Sequence, residues 1–132
     1  MRTQSREKAF QLIFERLFVK EEYNIDEEFF ASLKKEDDKS FAKELIEKFV
    51  THKEELESLV SHNLINYDIS RVYKVDLALI YLALTEINYC QTPKQVVINE
   101  VLEIAKRFST EKSSRFINGV LSSILKSKKD DI

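Results

Sequence analysis

The stretch TPKQVVINEVLEIAKRF, residues 92–108, decides the fold class. Its apolar residues recur at the spacing of one face of an α-helix. Thr92 is expected to cap this helix, with Pro93 at the first helical position and Gln95 closing a capping box. The residues expected to be buried are Val97, Ile98, Val101, Leu102, Ile104, Ala105 and Phe108. The sequence therefore predicts an amphipathic helix that packs against other helices.

The segments on either side of this stretch are also helical in pattern. An almost entirely apolar helix is predicted from about Val75 to Tyr89, and such a helix is buried in the middle of a bundle. A final helix is predicted from about Ser113 to Lys126, followed by a polar tail over residues 128–132. Gly119 lies inside that helix, where we expect it to let another helix approach closely.

The first part of the chain predicts two further helices. An amphipathic helix is expected from about Thr3 to Lys20. Asp26 can cap a short second helix. The apolar face of that short helix would be Phe29, Phe30 and Leu33. The charged run over residues 34–39 is expected to form a surface loop.

A long apolar pattern then runs from Phe41 to Val60. It fits one continuous helix or a break at Thr51, where Thr51-His52-Lys53-Glu54 has the form of a capping box. We favour the continuous helix because the apolar stripe keeps its phase across this point. Asn63 to Ser70 carries turn residues and is expected to connect this pattern to the next helix.

Composition supports an all-α fold of about six or seven helices in a single domain over residues 1–132. The chain has one Gly and one Pro, which excludes a glycine-rich phosphate loop and disfavours β-architectures with many turns. Cys90 is the one cysteine, so no intrachain disulfide can form and a cytoplasmic location is expected. No signal peptide is evident, and the most apolar run is too short and polar to span a membrane.

The charges are distributed unevenly along the chain. The formal net charge is −2, but it is +3 over residues 1–20, −7 over residues 21–61, −2 over residues 62–105 and +4 over residues 106–132. If the two basic ends meet, they form one basic patch with aromatic residues nearby. Basic side chains neutralise phosphates and aromatic rings stack on unpaired bases, so this combination suits single-stranded nucleic acid. The simpler alternative is that the lysines of the terminal helices only aid solubility.

No convincing active site is apparent in the sequence. His52 and Glu55 could share a metal, but a di-iron bundle needs Glu-x-x-His pairs that this chain lacks. Glu100 and Glu103 share a helix face, and an exposed face explains them more simply than acid–base catalysis does. We therefore predict a binding protein with no catalytic residue, no metal site and no cofactor.

Four blocks of the sequence resemble one known family. Residues 93–108 resemble the P-x-x-V-x-I-N-E-x-V-E-L-A-K-x-F stretch of the NusB family of transcription antitermination factors, and residues 116–121 its F-V-N-G-V-L. Residues 75–87 are similar to the family's V-D-R-A-I-L-R-L-A-x-Y-E-L, and residues 6–14 to its R-x-x-A-x-x-x-L-Y. The two C-terminal blocks, at the right distance from each other, make the resemblance specific.

The resemblance implies an all-helical protein of two packed subdomains that binds the single-stranded boxA element of ribosomal-operon RNA. It also implies a heterodimer with NusE, a small-subunit ribosomal protein, within the RNA polymerase antitermination complex that suppresses premature termination. The family residues carried over as RNA-binding are Arg2, Arg6, Phe14, Lys112, Ser113, Arg115 and Phe116. Phe14 stands at the family's tyrosine position. Asp76 matches an acidic position expected to face NusE.

Two other functions stay open at this point. One is a NusB-like RNA-binding domain that acts with an rRNA methyltransferase, and the other is a helical adaptor that binds only protein. A homodimer is also open, because some relatives self-associate through the face that binds NusE.

Overall fold

The computed structural model describes residues 2–18, 27–65 and 68–130. These residues form six α-helices: α1 (Thr3–Phe18), α2 (Glu36–Thr51), α3 (Lys53–His62), α4 (Lys74–Tyr89), α5 (Lys94–Phe108) and α6 (Glu111–Asp130). Single 3-10 turns occur at Glu27–Phe30 and Ile69–Arg71. The described part of the chain contains no strand, which confirms the predicted all-α class.

Helix α4 lies at the centre of the bundle. Its residues from Asp76 to Glu86 are all buried, as expected for a helix that is apolar on every side. Helices α1 and α2 pack on each other and on α4, and helices α5 and α6 do the same. Helix α3 contacts α2, α4 and α6. The core therefore surrounds α4.

The prediction of one continuous helix from Phe41 to Val60 is wrong, because the chain breaks at His52 between α2 and α3. The buried residues that flank the break are seven positions apart. This spacing fits a continuous helix and a broken one equally well, so the apolar stripe could not show the break. At the break the His52 ring stacks flat on Tyr89, with centroids 3.7 Å apart. This contact joins two helices that are distant in the sequence, so no local sequence pattern predicts it.

Neither capping box predicted from the sequence forms. The Thr51 hydroxyl donates to the Glu47 carbonyl oxygen at 2.8 Å instead of capping α3. Thr92 does not cap α5, because the N-cap is the next residue, Pro93, which makes no side-chain cap bond. The Pro93 carbonyl accepts the first helical hydrogen bonds. Just before it, Gln91 turns the chain out of α4 with a φ of 58°, the left-handed conformation that often follows a helix end.

Helix α6 is longer than predicted and its glycine has a different role. It runs from Glu111 to Asp130, so it includes most of the segment expected to be a tail. Gly119 is exposed, and a Cβ built there meets nothing within 4 Å. The expected close approach of another helix at Gly119 is therefore wrong.

Several boundaries in the first half also differ from the predictions. Helix α1 ends at Phe18, and Lys20 and Asp26 lie outside the described residues. The expected second helix is only the 3-10 turn Glu27–Phe30 within the described part, although Phe30 is buried. The predicted loop over residues 34–39 contains the first turn of α2, which is rich in acidic residues that favour a helix N-terminus.

Candidate nucleic-acid interface

A hollow of about 780 Å³ opens where three helix ends meet. The C-terminal half of α1, the N-terminus of α4 and the N-terminus of α6 surround it. It is lined by Phe14, Phe18, Arg71, Val72, Tyr73, Lys74, Val75, Asp76, Ser109, Thr110, Lys112, Ser113 and Phe116. Residues far apart in the sequence are thus brought to one site by the packing of α1 and α6 against α4.

The start of α6 is fixed by the residues that line the hollow. The Thr110 hydroxyl accepts a hydrogen bond from the Ser113 backbone N–H at 3.2 Å, which is the geometry of an N-cap. The Ser109 hydroxyl donates to the Ser113 hydroxyl at 2.7 Å. This network holds the first turn of α6, so that Lys112 stays at the solvent side of the hollow while Ser113 is buried.

Aromatic rings form one side of the hollow. Phe14 makes an edge-to-face contact with Phe18, with centroids 5.1 Å apart, and packs at 6.3 Å from Phe10. Phe10 in turn packs on Phe108 at 5.6 Å. Phe116 is half-buried against the core. The rings therefore pack against other aromatic rings or the core on one side, while parts of Phe14, Phe18 and Phe116 face the hollow.

The charges that line the hollow are mainly positive. They are the side chains of Arg71, Lys74 and Lys112, against the single carboxyl group of Asp76. Burial raises the pKa of Asp76, and the neighbouring Ser113 and Ser109 hydroxyls offset part of that shift. Among the described residues, no group donates a hydrogen bond to Asp76 Oδ1. The hollow thus combines cations, aromatic faces and one buried acceptor.

Comparison with known proteins identifies the family. The family model described as NusB matches residues 3–126, which is most of the chain. This chain belongs to the NusB family. The resemblance that the four sequence blocks indicated is confirmed.

Individual relatives give the same result. The transcription antitermination protein NusB of Finegoldia magna is 38% identical over 134 residues, a match that covers 98% of this chain and 96% of that protein. The structure of T. maritima NusB has a TM-score of 0.85 and 28% identity, covering 100% of this chain and 98% of that one. A crystal structure of the antitermination factors NusB and NusE in complex with dsRNA has a TM-score of 0.84 and 26% identity, with 96% of each chain covered.

The hollow brings together five of the eight site residues expected from the NusB resemblance. They are Phe14, Asp76, Lys112, Ser113 and Phe116. Asp76 was expected to face NusE, but it is only 3% exposed and lies in the hollow beside the RNA-binding set. Asp76 is tens of residues away from the other four in the sequence, and it lies next to them only because the helices pack together.

The three arginines of the expected set lie elsewhere. Arg2 is exposed, and its guanidinium stacks over the Phe41 ring at 4.1 Å. It precedes Phe14 by twelve residues, or about 18 Å along a helix axis. Arg115 is exposed on α6 but does not line the hollow. Arg2 and Arg115 are therefore both exposed but lie outside the hollow.

Arg6 is buried, with only 5% of its surface exposed. Its guanidinium donates two hydrogen bonds of 2.7 Å to the Glu86 carboxylate, which is fully buried in α4. Glu100 lies 3.9 Å away and accepts a hydrogen bond from the Thr3 hydroxyl at 3.2 Å. Burial disfavours the charge, but the hydrogen bond and charge of Glu86 and the charge of Glu100 outweigh it and raise the pKa of Arg6. Arg6 thus joins α1 to α4 and α5 inside the protein.

Four aromatic or cationic residues that line the hollow were not among the site residues expected from the sequence. They are Phe18, Arg71, Tyr73 and Lys74. Phe18 follows Phe14 by four residues, a spacing that places both rings on one face of a helix. The run Arg71-Val72-Tyr73-Lys74 lies between the connection expected over Asn63 to Ser70 and the helix expected from Val75. It holds an aromatic residue between two cations, a pattern that suits phosphate and base contact.

Within the described residues, no helix is both long and apolar enough to cross a membrane.

Proposed function

We propose that this chain is a transcription antitermination factor. It binds the single-stranded boxA element of ribosomal-operon RNA together with NusE, joins the RNA polymerase antitermination complex and suppresses premature termination. It acts in the cytoplasm as one domain and without catalysis. The single observation that carries the proposal is the hollow, in which Phe14, Lys112, Ser113 and Phe116 lie together beside cationic residues. The names of its relatives support the antitermination role, and the match to a structure of NusB and NusE in complex with dsRNA supports NusE and RNA as partners.

The hollow suggests how each group acts on RNA. Lys112 neutralises phosphates, which supplies affinity that depends on salt but not on sequence. Unpaired bases stack on Phe14 and Phe116, since aromatic faces accept any base. Asp76 Oδ1 accepts no hydrogen bond from the described part of the chain, and it suits the exocyclic amino group of a cytosine or adenine. We therefore assign Asp76 to RNA in preference to NusE, because it lines the same hollow as Phe14, Lys112 and Phe116.

Binding of fluorescein-labelled boxA RNA, measured by anisotropy with and without NusE, tests the proposal. We expect Phe116→Ala to weaken binding by about 1–3 kcal/mol, the loss of one stacked base. The matched control is Phe29→Ala, because Phe29 is also a half-buried phenylalanine that packs on the core but lies outside the hollow. Equal affinities for the wild type and both variants would refute the placement of the RNA site.

Salt dependence tests the role of the cations. We expect Lys112→Gln to reduce the slope of log affinity against log salt by about one, since one phosphate contact is lost. Lys94→Gln is the control, because Lys94 is exposed at the start of α5 and outside the hollow. A complete absence of RNA binding, alone or with NusE, would overturn the proposal and leave an adaptor that binds only protein. Equal binding of boxA RNA and of a duplex with the same sequence would overturn the preference for a single strand.

A further inference from the structure

Tyr73, immediately before α4, is the most exposed large apolar side chain in the described part of the protein. We infer that Tyr73 is an additional base-stacking residue and that, with Arg71 and Lys74, it extends the RNA-binding surface across the N-terminus of α4. The inference rests on the proposed RNA-binding function and goes beyond it, because neither the sequence motifs nor the family resemblance assigns these three residues a role.

The exposure of Tyr73 is unusual and is not isolated. Tyr73 is 79% exposed, and the next most exposed aromatic residue in the described part, Phe18, is 61% exposed. Both line the hollow. Large apolar side chains grouped in water commonly mark a binding surface, whereas single exposed ones do not. The two most exposed aromatic rings therefore lie where RNA is proposed to bind.

The backbone of Tyr73 is held rigidly although its ring is in water. Val72 is buried and anchors the chain directly before it. The Tyr73 carbonyl accepts a hydrogen bond of 2.9 Å from the Leu77 N–H, which begins α4. In the described residues, no side-chain hydrogen bond or ring contact joins Tyr73 to a neighbour. A tyrosine has only two side-chain torsions, so a Tyr73 ring on an ordered backbone loses little entropy when a base stacks on it.

The position of Tyr73 on α4 places it beside the groups proposed to contact RNA. Tyr73 and Asp76 are three residues apart at the helix N-terminus, so they lie on the same face of its first turn. Arg71 and Lys74 flank Tyr73 in the sequence and line the same hollow, together with Lys112 from α6. An RNA strand in the hollow can therefore meet cations from both α4 and α6.

Charge decides which occupant fits this part of the hollow. Three cationic side chains face one carboxyl group there, and the pKa of that carboxyl is raised by burial. Such a surface attracts a phosphate backbone and repels a basic protein partner. The exposed aromatic rings select an unpaired strand, because bases within a duplex are already stacked. Single-stranded RNA is thus the occupant that satisfies both features.

Substitution of Tyr73 tests the inference by RNA affinity. We expect Tyr73→Ala to weaken binding of labelled single-stranded boxA RNA by about 5- to 150-fold, the effect of losing one stacked base. Tyr73→Phe should retain most of the affinity, because the ring remains. Ile65→Ala is the matched control, since Ile65 is 75% exposed but does not line the hollow. Equal affinities of Tyr73→Ala and Ile65→Ala would overturn the inference.

A direct contact can be observed because the chain contains no tryptophan. We expect the indole fluorescence of Tyr73→Trp to be quenched when single-stranded RNA binds, and that of Ile65→Trp to remain unchanged. Binding by anisotropy without quenching of Tyr73→Trp would show that RNA does not reach this residue. Phe116→Ala separates the two proposals: if it weakens binding while Tyr73→Ala does not, the proposed function stands and the extension fails. If the wild-type protein binds no RNA, both fail.

Discussion

Removal of the Arg6 side chain is predicted to destabilise the protein severely, for a reason unrelated to RNA. In Arg6→Met, the Glu86 carboxylate is left buried without the two hydrogen bonds of 2.7 Å that now satisfy it. Breaking a buried ion pair by removing one partner costs about 3–5 kcal/mol. The whole domain is expected to be stable by about 5–15 kcal/mol, so this loss is a large fraction of the total.

The double variant Arg6→Met/Glu86→Met distinguishes a buried pair from a surface pair. It removes both charges and keeps side chains of moderate size, and such replacements are often neutral or stabilising. We expect it to recover most of the stability that Arg6→Met loses. Glu100 then keeps the Thr3 hydroxyl as a partner and remains partly exposed, so it needs no buried counter-ion.

Urea denaturation followed by circular dichroism measures the free energy of unfolding of the wild type and the variants. A loss below about 1 kcal/mol in Arg6→Met is the range of an exposed ion pair and would refute the reasoning. The double variant also tests the contact with RNA that the family resemblance implied for Arg6. We expect it to keep the wild-type slope of log affinity against log salt. A slope smaller by about one would show that Arg6 does bind a phosphate.

Three further predictions concern single positions. Gly119→Ala should raise the free energy of unfolding by about 1 kcal/mol in urea denaturation, because alanine is the better helix former and a Cβ at this position meets nothing within 4 Å. A lower free energy of unfolding in this variant would contradict the prediction. Burial raises the pKa of Asp76, so ionisation of this carboxyl group lowers the stability of the protein as pH rises. Asp76→Asn should therefore be more stable than the wild type at neutral pH, and this advantage should vanish below pH ~3.9. A stability difference that does not change with pH would contradict this. Burial and the hydrogen bond to Glu55 raise the pKa of Tyr89 to about 12, and burial raises that of Tyr81 further. Ultraviolet titration should therefore find late phenols, of which only Tyr89 titrates earlier in Glu55→Gln, and stability should fall as pH rises from about 10 to about 12.

The helices and the chain's family follow from local features of the sequence. The period of apolar residues places α1, α4, α5 and α6 because each helix buries one face or, for α4, all faces. The spacing of the motifs around Pro93 and Gly119 identifies the family. These features depend only on neighbours along the chain, so they are visible without a structure.

The break at His52 and the burial of Arg6 are not visible in this way. The ring that stacks on His52 belongs to Tyr89 and the carboxylate that binds Arg6 belongs to Glu86, both on a helix far along the sequence. A basic residue near a basic terminus is expected to be exposed, and only its partner shows that it is not. The break and the burial of Arg6 each depend on a partner residue on another helix, and the period of apolar residues does not show which residues of different helices meet.

The sequence by itself determined that the chain is a NusB-family helical protein and that its basic ends carry aromatic residues suited to RNA. Only the tertiary structure decided that Phe14 and Phe116 share a hollow with Asp76 and Tyr73, and that Arg6 does not. The physical reason is that periodicity shows which face of each helix is apolar, whereas the site is formed where the ends of three helices meet. The packing of α1 and α6 on α4 sets that meeting point, and it depends on the complementarity of buried side chains along the whole bundle.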